Sequence, residues 1–469
     1  MNTYRMIPAT LALLGAVACA DVPTEPAAAA SDQPVAQASA GSAELTAVVV
    51  FDNVGAIPAS GIAAIGAVGG TVTKRLDGIG VAVALLPDLA AVAALRNADG
   101  VASVGVDRMT GFLDGVRIGA VLADAYRRNP APPNDPTQVL RWSVQWNMRV
   151  IGADRAWARG HFGSPQVKVA ILDTGIDYTN RELSGLVDLT LSKSISPEPV
   201  APGEHPVMDY HFHGTHVSSS VTTNNISIAG VAPGVRLFGV KVLTAAGSGL
   251  FSWGVEGIVY AADAGARVIN MSLGAEVNET EDAALIESTR RAVEYAESRG
   301  AIVVAAAGND GADLDAEGVV YLPCEVASLC VSATGPLNQQ DFDQPAEYTN
   351  YGANGVSVAA PGGNASDTET YVNEDLILGA CSTRATNGTL VVCRTSGLNG
   401  YYYAYAAGTS MASPHVAGKA AMILSKWPGM SAAALKDRIR SNSDDLGEPG
   451  HDAFYGAGRI NVSRALPGN

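Results

Sequence analysis

The sequence predicts an α/β protein, a parallel sheet with helices on both faces, preceded by a small α+β unit of order βαββαβ. Three observations carry this. From Gln145 onward, unbroken apolar runs alternate with helical stretches, the pattern of strands buried on both faces. Residues 45–106 hold four short β-rich runs and two helical ones. The 469-residue chain is long enough for two or three domains, with 47% hydrophobic and 16% charged residues, an ordinary globular composition.

The chain opens MNTYRMIPATLALLGAVACADVPTEP, with one early cation, Arg5, and an apolar stretch from Ile7 to Ala20. That is too short to span a bilayer, which takes about 20 apolar residues, and fits a secretory signal over 1–20. Two processing readings stand. Ala18-Cys19-Ala20 suits a cut before Asp21, giving a secreted or extracellular protein. Ala16-Val17-Ala18-Cys19 resembles a bacterial lipobox, and membrane attachment is expected only if Cys19 is lipidated. Residues 21–43 are low-complexity and read as a linker.

The small unit spans 44–108. Leu45–Phe51 reads as a strand and Ile57–Val68 as a helix. Thr71–Arg75 and Ile79–Leu86 read as strands around Asp77-Gly78, Asp88–Asn97 as a helix and Val101–Val106 as a strand. Residues 109–144 form a connector, and Asp124–Pro136, charged and Pro-rich, reads as exposed and open to proteolysis. In 145–469 the strands are expected at 167–172, 235–243, 266–273 and 301–307, with helices at 250–264 and 280–299. Functional residues in such sheets gather at the carboxyl ends of the strands.

Charge narrows the function. Lys+Arg is 30 against 46 Asp+Glu, a formal net charge of −16. Residues 1–144 hold 9 basic and 12 acidic residues, and the remainder 21 and 34. So acidic a chain is a poor nucleic-acid binder, and it carries neither a P-loop nor a dinucleotide glycine fingerprint. Apart from Cys19 there are four cysteines, Cys324, Cys330, Cys381 and Cys393. An even number in an exported chain suggests two bridges, and four cysteines allow three pairings. The local pairs 324–330 and 381–393 are the simplest. Neither spacing suits a zinc site.

Three polar residues sit at strand or helix ends: Asp173 in ILDTGID, His213 in HFHGTHVSS and Ser410 in AAGTSMASPHVAGKAA. Taken singly, each has an ordinary explanation as a cap, a turn residue or a core histidine. Together they are what serine hydrolysis requires: a nucleophile, a base to take its proton, and a carboxylate to hold that base in one tautomer. His211-Phe212-His213-Gly214-Thr215-His216 also looks like H-x-H-x-x-H, but no carboxylate or Cys completes a metal site there. The G-x-S-x-G elbow of esterases is missing around Ser410. A binding module that kept the fold has no physical need for the whole constellation.

DTGID, HGTHV and GTSMASPHVAG resemble the Asp, His and Ser motifs of the subtilisin-like serine proteases, the subtilases. The resemblance covers Gln145 to the C-terminus, and 45–107 looks like the family's inhibitory propeptide. It implies a subtilisin-like fold and a serine endopeptidase made as a self-processing zymogen. It gives Asp173 the role of orienting the base, His213 the base and Ser410 the nucleophile. AAAGND (305–310) resembles the segment supplying the oxyanion donor, here Asn309. Without the triad, Asn309 would read as a left-handed turn residue before Asp310-Gly311.

By the same resemblance a substrate strand lies between Gly247-Ser248-Gly249 and Ser272-Leu273-Gly274. Ala306, Ala307 and Gly308 wall the pocket for the side chain before the scissile bond. Asp310 stands at its rim, and Tyr321 or Leu322 at its floor. No cofactor is expected for the chemistry. A structural Ca2+ is compatible with the family, with Glu182 and Asn224-Asn225 at the positions to inspect. The expected partners are protein or peptide substrates and the chain's own propeptide as an intramolecular inhibitor, with the enzyme a monomer. The position of the self-cut is bounded only to 107–145.

Overall fold

The four β-rich runs of the N-terminal unit pair into one antiparallel sheet. The computed structural model describes residues 44–119, 130–132, 134–366, 372–386, 393 and 402–467, all within the compact unit Ala43–Asn469. The signal sequence, Cys19, the linker 21–43 and residues 124–129 of the connector lie outside the described residues.

In the N-terminal lobe the order is β1 (Leu45–Phe51), α1 (Ala59–Ala67), β2 (Thr71–Leu76), β3 (Val81–Leu86), α2 (Leu89–Leu95) and β4 (Val101–Val106). Sheet order is β2-β3-β1-β4. The strand expected from Ile79 starts at Val81, because Asp77–Ile79 takes a 3-10 turn ended by Gly80 at φ +63°. A Cβ there would stand 2.0 Å from the Asn53 carbonyl oxygen, so only glycine fits. β1 is apolar and buried from Ala47 to Phe51 because both its faces are covered there. Ala47, Val49 and Phe51 pack into the lobe's own core. Val48 and Val50 alternate to the other side and join a core shared with the body.

The connector departs from its expected character. Residues Thr110–Gly111 (β5) and Arg117–Gly119 (β6) pair with strands of the body. Ala131, Pro136 and Val139 are buried, and the Ala131 and Arg141 amides donate to Asn225 O and Ser227 O. Of the described residues in Asp124–Pro136, the stretch expected to be exposed, Pro130, Pro132 and Asn134 are exposed, while Ala131 and Pro136 turn inward. Described residues ahead of Gln145 thus pair and hydrogen-bond with strands and loops that follow it.

The body continues with α3 (Trp146–Val150), α4 (Ala153–Trp157), β7 (Lys168–Asp173), β8 (Lys193–Ser194), α5 (His213–Val221), β9 (Arg236–Lys241), β10 (Ser248–Gly249) and α6 (Phe251–Asp263). Next come β11 (Val268–Met271), β12 (Ala275–Asn278), α7 (Ala283–Ser298), β13 (Ile302–Ala306), β14 (Val319–Leu322), β15 (Leu329–Thr334), β16 (Val358–Pro361), β17 (Ile377–Ala380) and β18 (Tyr403–Ala407). The chain closes with α8 (Thr409–Lys426), α9 (Ala432–Ser441), β19 (Ser443–Asp444), β20 (Arg459–Ile460) and α10 (Val462–Ala465).

The main sheet has nine strands in the order β19-β20-β16-β15-β13-β11-β7-β9-β8. All its pairs are parallel except β19–β20. Its central strands divide their side chains between two cores. Val169 and Ile171 face one, with α5 and α8; Ala170 and Leu172 face the other, with α6 and α7. α8 is buried on every side from Thr409 to Leu424, which explains its run of small residues. The two cysteine pairs are within bonding range, Cys324 with Cys330 and Cys381 with Cys393, at Cα–Cα separations of 4.9 and 5.8 Å.

Candidate active site

Asp173 is the last residue of β7, and His213 the first of α5, so one strand end and one helix start face each other. Both side chains are fully buried. His213 Nδ1 lies 2.8 and 3.0 Å from the two Asp173 carboxylate oxygens. The Thr174 amide also donates to Asp173 Oδ1 at 2.7 Å. A Cβ at Gly214 would stand 2.0 Å from Gly175 O and 3.1 Å from the Asp173 carboxylate, so the close approach of α5 to β7 needs this glycine. His213 Nε2 is buried and makes no hydrogen bond among the described residues.

Ser410 is the second residue of α8, which packs against α5. Its Oγ donates to Ser272 O at 2.9 Å rather than to His213. Ser272 Oγ in turn donates to Ser410 O at 2.7 Å. Pro414 explains the second bond. It has no N–H to return to the carbonyl four residues earlier, and that carbonyl is Ser410's. Asn270 Nδ2 donates to Ser272 Oγ at 2.9 Å, and Ser413 Oγ donates to Asn270 Oδ1 at 2.7 Å. Sequence reasoning missed Asn270 and Ser413. Their signal was faint: Asn270 is a single polar residue in β11, and Ser413 is one of several buried polar residues in α8.

Asn309 follows β13. Its Oδ1 accepts from the Thr409 amide at 2.8 Å and from Thr409 Oγ1 at 3.0 Å. That fixes which way the amide points. Its Nδ2 donates at 3.0 Å to a peptide carbonyl, that of Asp114 in the connector. Asn309 is absent from the residues with left-handed φ, so it is not the turn residue its neighbours suggested. The loop is held by Asn350, also missed: its Oδ1 accepts from Asp310 N and Ala312 N, both at 2.9 Å, and its Nδ2 donates to Ala307 O at 3.0 Å.

The two expected substrate edges are both engaged by the chain itself. β5 pairs antiparallel with β10, Ser248 opposite Gly111 and Gly249 opposite Thr110. The Phe112 amide donates to Gly247 O at 3.1 Å, and the Gly274 amide to Phe112 O at 3.3 Å. Leu273 is buried. The Phe112 ring meets Phe251 edge-on at 4.8 Å, in an apolar recess with Leu243, Val255, Ile258 and Leu273.

Of the two residues expected at the pocket floor, Tyr321 lays its ring against Gly308 and Gly274. A Cβ at Gly308 would stand 2.6 Å from Tyr321 Cζ, and one at Gly274 would stand 2.5 Å from Tyr321 Cε1. Tyr321 Oη donates to Gly274 O at 3.2 Å. Burial, then the charges of Asp310, Asp114 and Glu276, push the Tyr321 hydroxyl up, so it stays protonated.

The histidine run does not converge. His216 Nε2 faces Ile377 O at 3.1 Å and Ala404 O at 3.2 Å. His211 stacks on Phe212. Burial holds both His211 and His216 down to about 4. Among the described residues no group of three or more His, Cys, Asp or Glu is placed to hold a metal ion. Nor does the expected calcium position fit a cation. Glu182 is buried and accepts from Ser227 N at 2.7 Å, Ile226 N at 3.1 Å, Ile228 N at 3.3 Å and Tyr403 Oη at 2.8 Å. The loop thus turns N–H groups inward, where a Ca2+ would need oxygens. Asn224 Nδ2 donates to Arg181 O and Ser184 O.

With this geometry in hand, the comparisons agree with one another. The model of the subtilase family matches residues 164–458. Over 389 residues the chain is 32% identical to a thermophilic serine proteinase of Bacillus sp. (strain AK1), covering 80% of this chain and 82% of that one. Over 326 residues it is 35% identical to subtilisin Savinase of Lederbergia lenta, covering 69% and 98%. The crystal structure of the epidermin leader peptide processing serine protease of Staphylococcus aureus aligns with a TM-score of 0.69 at 23% identity, over 91% of this chain and 98% of that one. Fervidolysin from Fervidobacterium pennivorans gives 0.69 at 22%, over 92% and 62%. These two likenesses speak for the fold.

Proposed function

This chain belongs to the subtilase family and is a serine endopeptidase; from that premise we propose the roles of its residues and the way it matures. Ser410 is the nucleophile. Its Oγ turns from Ser272 O toward His213 Nε2 by rotation about the Cα–Cβ bond and attacks the scissile carbonyl carbon. His213 takes the Ser410 proton and gives it to the leaving amine, then serves again as base when water attacks the acyl-enzyme. Asp173 fixes the tautomer and stabilises the imidazolium. Asn309 Nδ2 and the Ser410 backbone N–H hold the oxyanion, aided by the N-terminus of α8. The observation that carries this reading is the Asn309 amide, held by Thr409 next to Ser410 in the chain, resting on the Asp114 peptide carbonyl.

Residues 44–108 act as an inhibitory propeptide, and the enzyme is exported through its N-terminal signal. Two contacts support the first point. The Asp107 carboxylate accepts from Phe251 N and Ser252 N, each at 3.0 Å, and so caps α6. Arg291 of α7 donates to Phe51 O at 2.8 Å and Ile79 O at 3.3 Å. Substrates are proteins or peptides bound as a strand between the edges that Thr110–Phe112 now fills.

The test is labelling by a fluorophosphonate alongside casein hydrolysis. Both are expected of the mature protein, and neither of Ser410→Ala. A folded, mature protein that takes no label at Ser410 would overturn the assignment.

A further inference from the structure

We infer that the first bond this chain cuts in itself is Asp114–Gly115. The inference rests on the self-processing reading above and goes beyond it by naming the bond. Within the interval 107–145 the backbone is committed at both sides of one short stretch. On the N-terminal side, Asp107 is fixed on the first turn of α6, Thr110 and Gly111 pair with β10, and Phe112 bonds to both edges, through its N–H to Gly247 O and its carbonyl to Gly274 N. On the C-terminal side, Arg117, Ile118 and Gly119 pair antiparallel with Ala407, Ala406 and Tyr405. That strand runs directly through Gly408 and Thr409 into Ser410.

Only the carbonyls of Leu113 to Val116 remain between these anchors. Of these, Asp114's receives Asn309 Nδ2, at 3.0 Å. The same donor is the one proposed to hold the oxyanion, and its direction is set by Thr409, next to Ser410. Gly115 suits the position after the cut. Its φ is +74°, and a Cβ there would stand 2.7 Å from Asn309 Cβ and 3.1 Å from Asn309 O. Glycine lets the chain turn here from its pairing with β10 to its pairing with β18 while keeping the Asp114 carbonyl on the amide.

In the step itself, a bond forms between Ser410 Oγ and the Asp114 carbonyl carbon, and the Asp114 C–Gly115 N bond breaks. The Ser410 proton passes through His213 Nε2 to the Gly115 nitrogen, which leaves as a new N-terminal amine. Water then cleaves the Asp114–Ser410 ester and leaves an α-carboxylate on Asp114.

The experiment is a time course of the purified full-length chain, read by intact mass and N-terminal sequencing at the earliest times, before further trimming. The earliest fragment pair is expected to end at Asp114 and begin at Gly115. Ser410→Ala is expected to stay uncut at this bond. Gly115→Val, which puts a β-branched side chain at positive φ against Asn309, is expected to slow the first cut by about tenfold or more. An earliest fragment beginning at any other residue, in a chain that hydrolyses casein, overturns this inference and leaves the endopeptidase reading standing. A folded chain that neither processes itself nor hydrolyses casein overturns both. The wild-type time course decides the matter even if Gly115→Val fails to fold.

Discussion

Asn309 uses both ends of one amide: its oxygen is anchored by Thr409, which leaves its nitrogen free to meet a carbonyl. Asn309→Ala is expected to lower kcat by about 10²–10³ with little change in KM; that scale is the one known for the corresponding Asn of a subtilisin and is carried over from it. A kcat within twofold of wild type would remove Asn309 from the oxyanion role. Tyr321 is expected to act on selectivity instead. Its ring lies against Gly274 and Gly308, glycines of the two segments proposed to border the substrate. Tyr321→Gly is expected to shift cleavage of a peptide library toward large aromatic or aliphatic residues before the scissile bond. An unchanged profile would place the ring outside the pocket. The Asn309 role was legible in AAAGND through the family resemblance, whereas that of Tyr321 was legible only as a choice between Tyr321 and Leu322, because β14 is placed by its pairing with β12.

At the scale of elements, the loop 223–230 is organised by a carboxylate. Glu182 satisfies three of its N–H groups and the Tyr403 hydroxyl from a fully buried position. Burial pushes the Glu182 carboxyl up, against the pull of those bonds. Glu182→Ala is expected to lower the melting temperature strongly, since each buried donor left unpaired costs about 1–3 kcal/mol. Wild type and Glu182→Ala are expected to respond alike to EDTA in a thermal melt. A wild-type loss of stability with EDTA that the variant does not share would show a cation held there. The sequence placed Glu182 at the right position but not its partners, because the N–H groups come from a loop more than 40 residues away.

For the molecule as a whole, stability should depend on pH through buried bases. His211, His216 and His415 are held near 4, each first by burial, against an ordinary 6.5. They are neutral in the fold, so the stability tied to them is full above about 6.5 and is lost as pH falls toward 4. Asp209 and Glu182, raised by burial, act in the opposite sense on the acid side. Lys419 lies buried in α8, donating to Ile439 O at 2.9 Å and Asn442 O at 3.3 Å, and burial lowers it to about 7 from 10.5. Its folded value lies below its unfolded one, so stability rises with pH between about 7 and 10.5. Lys419→Met is expected to flatten that alkaline rise in melting temperature, leaving the acid limb in place. An unchanged alkaline limb would mean the ammonium is not desolvated.

What the sequence by itself determined was local: periodicity set the strands and helices to within a few residues, and three motifs marked Asp173, His213 and Ser410. Charge and glycine placement likewise read directly, since turns and buried runs answer to near neighbours. What only the tertiary structure decided was long-range. It laid Thr110–Gly119, written as a connector, along both edges of the cleft. It supplied Asn270, Asn350 and Ser413 as supports, and it replaced the expected cation position with inward N–H groups around Glu182. Hydrogen-bond partners distant in the chain are fixed by how elements pack, and a buried polar group is forced to take whichever partner the packing brings within reach.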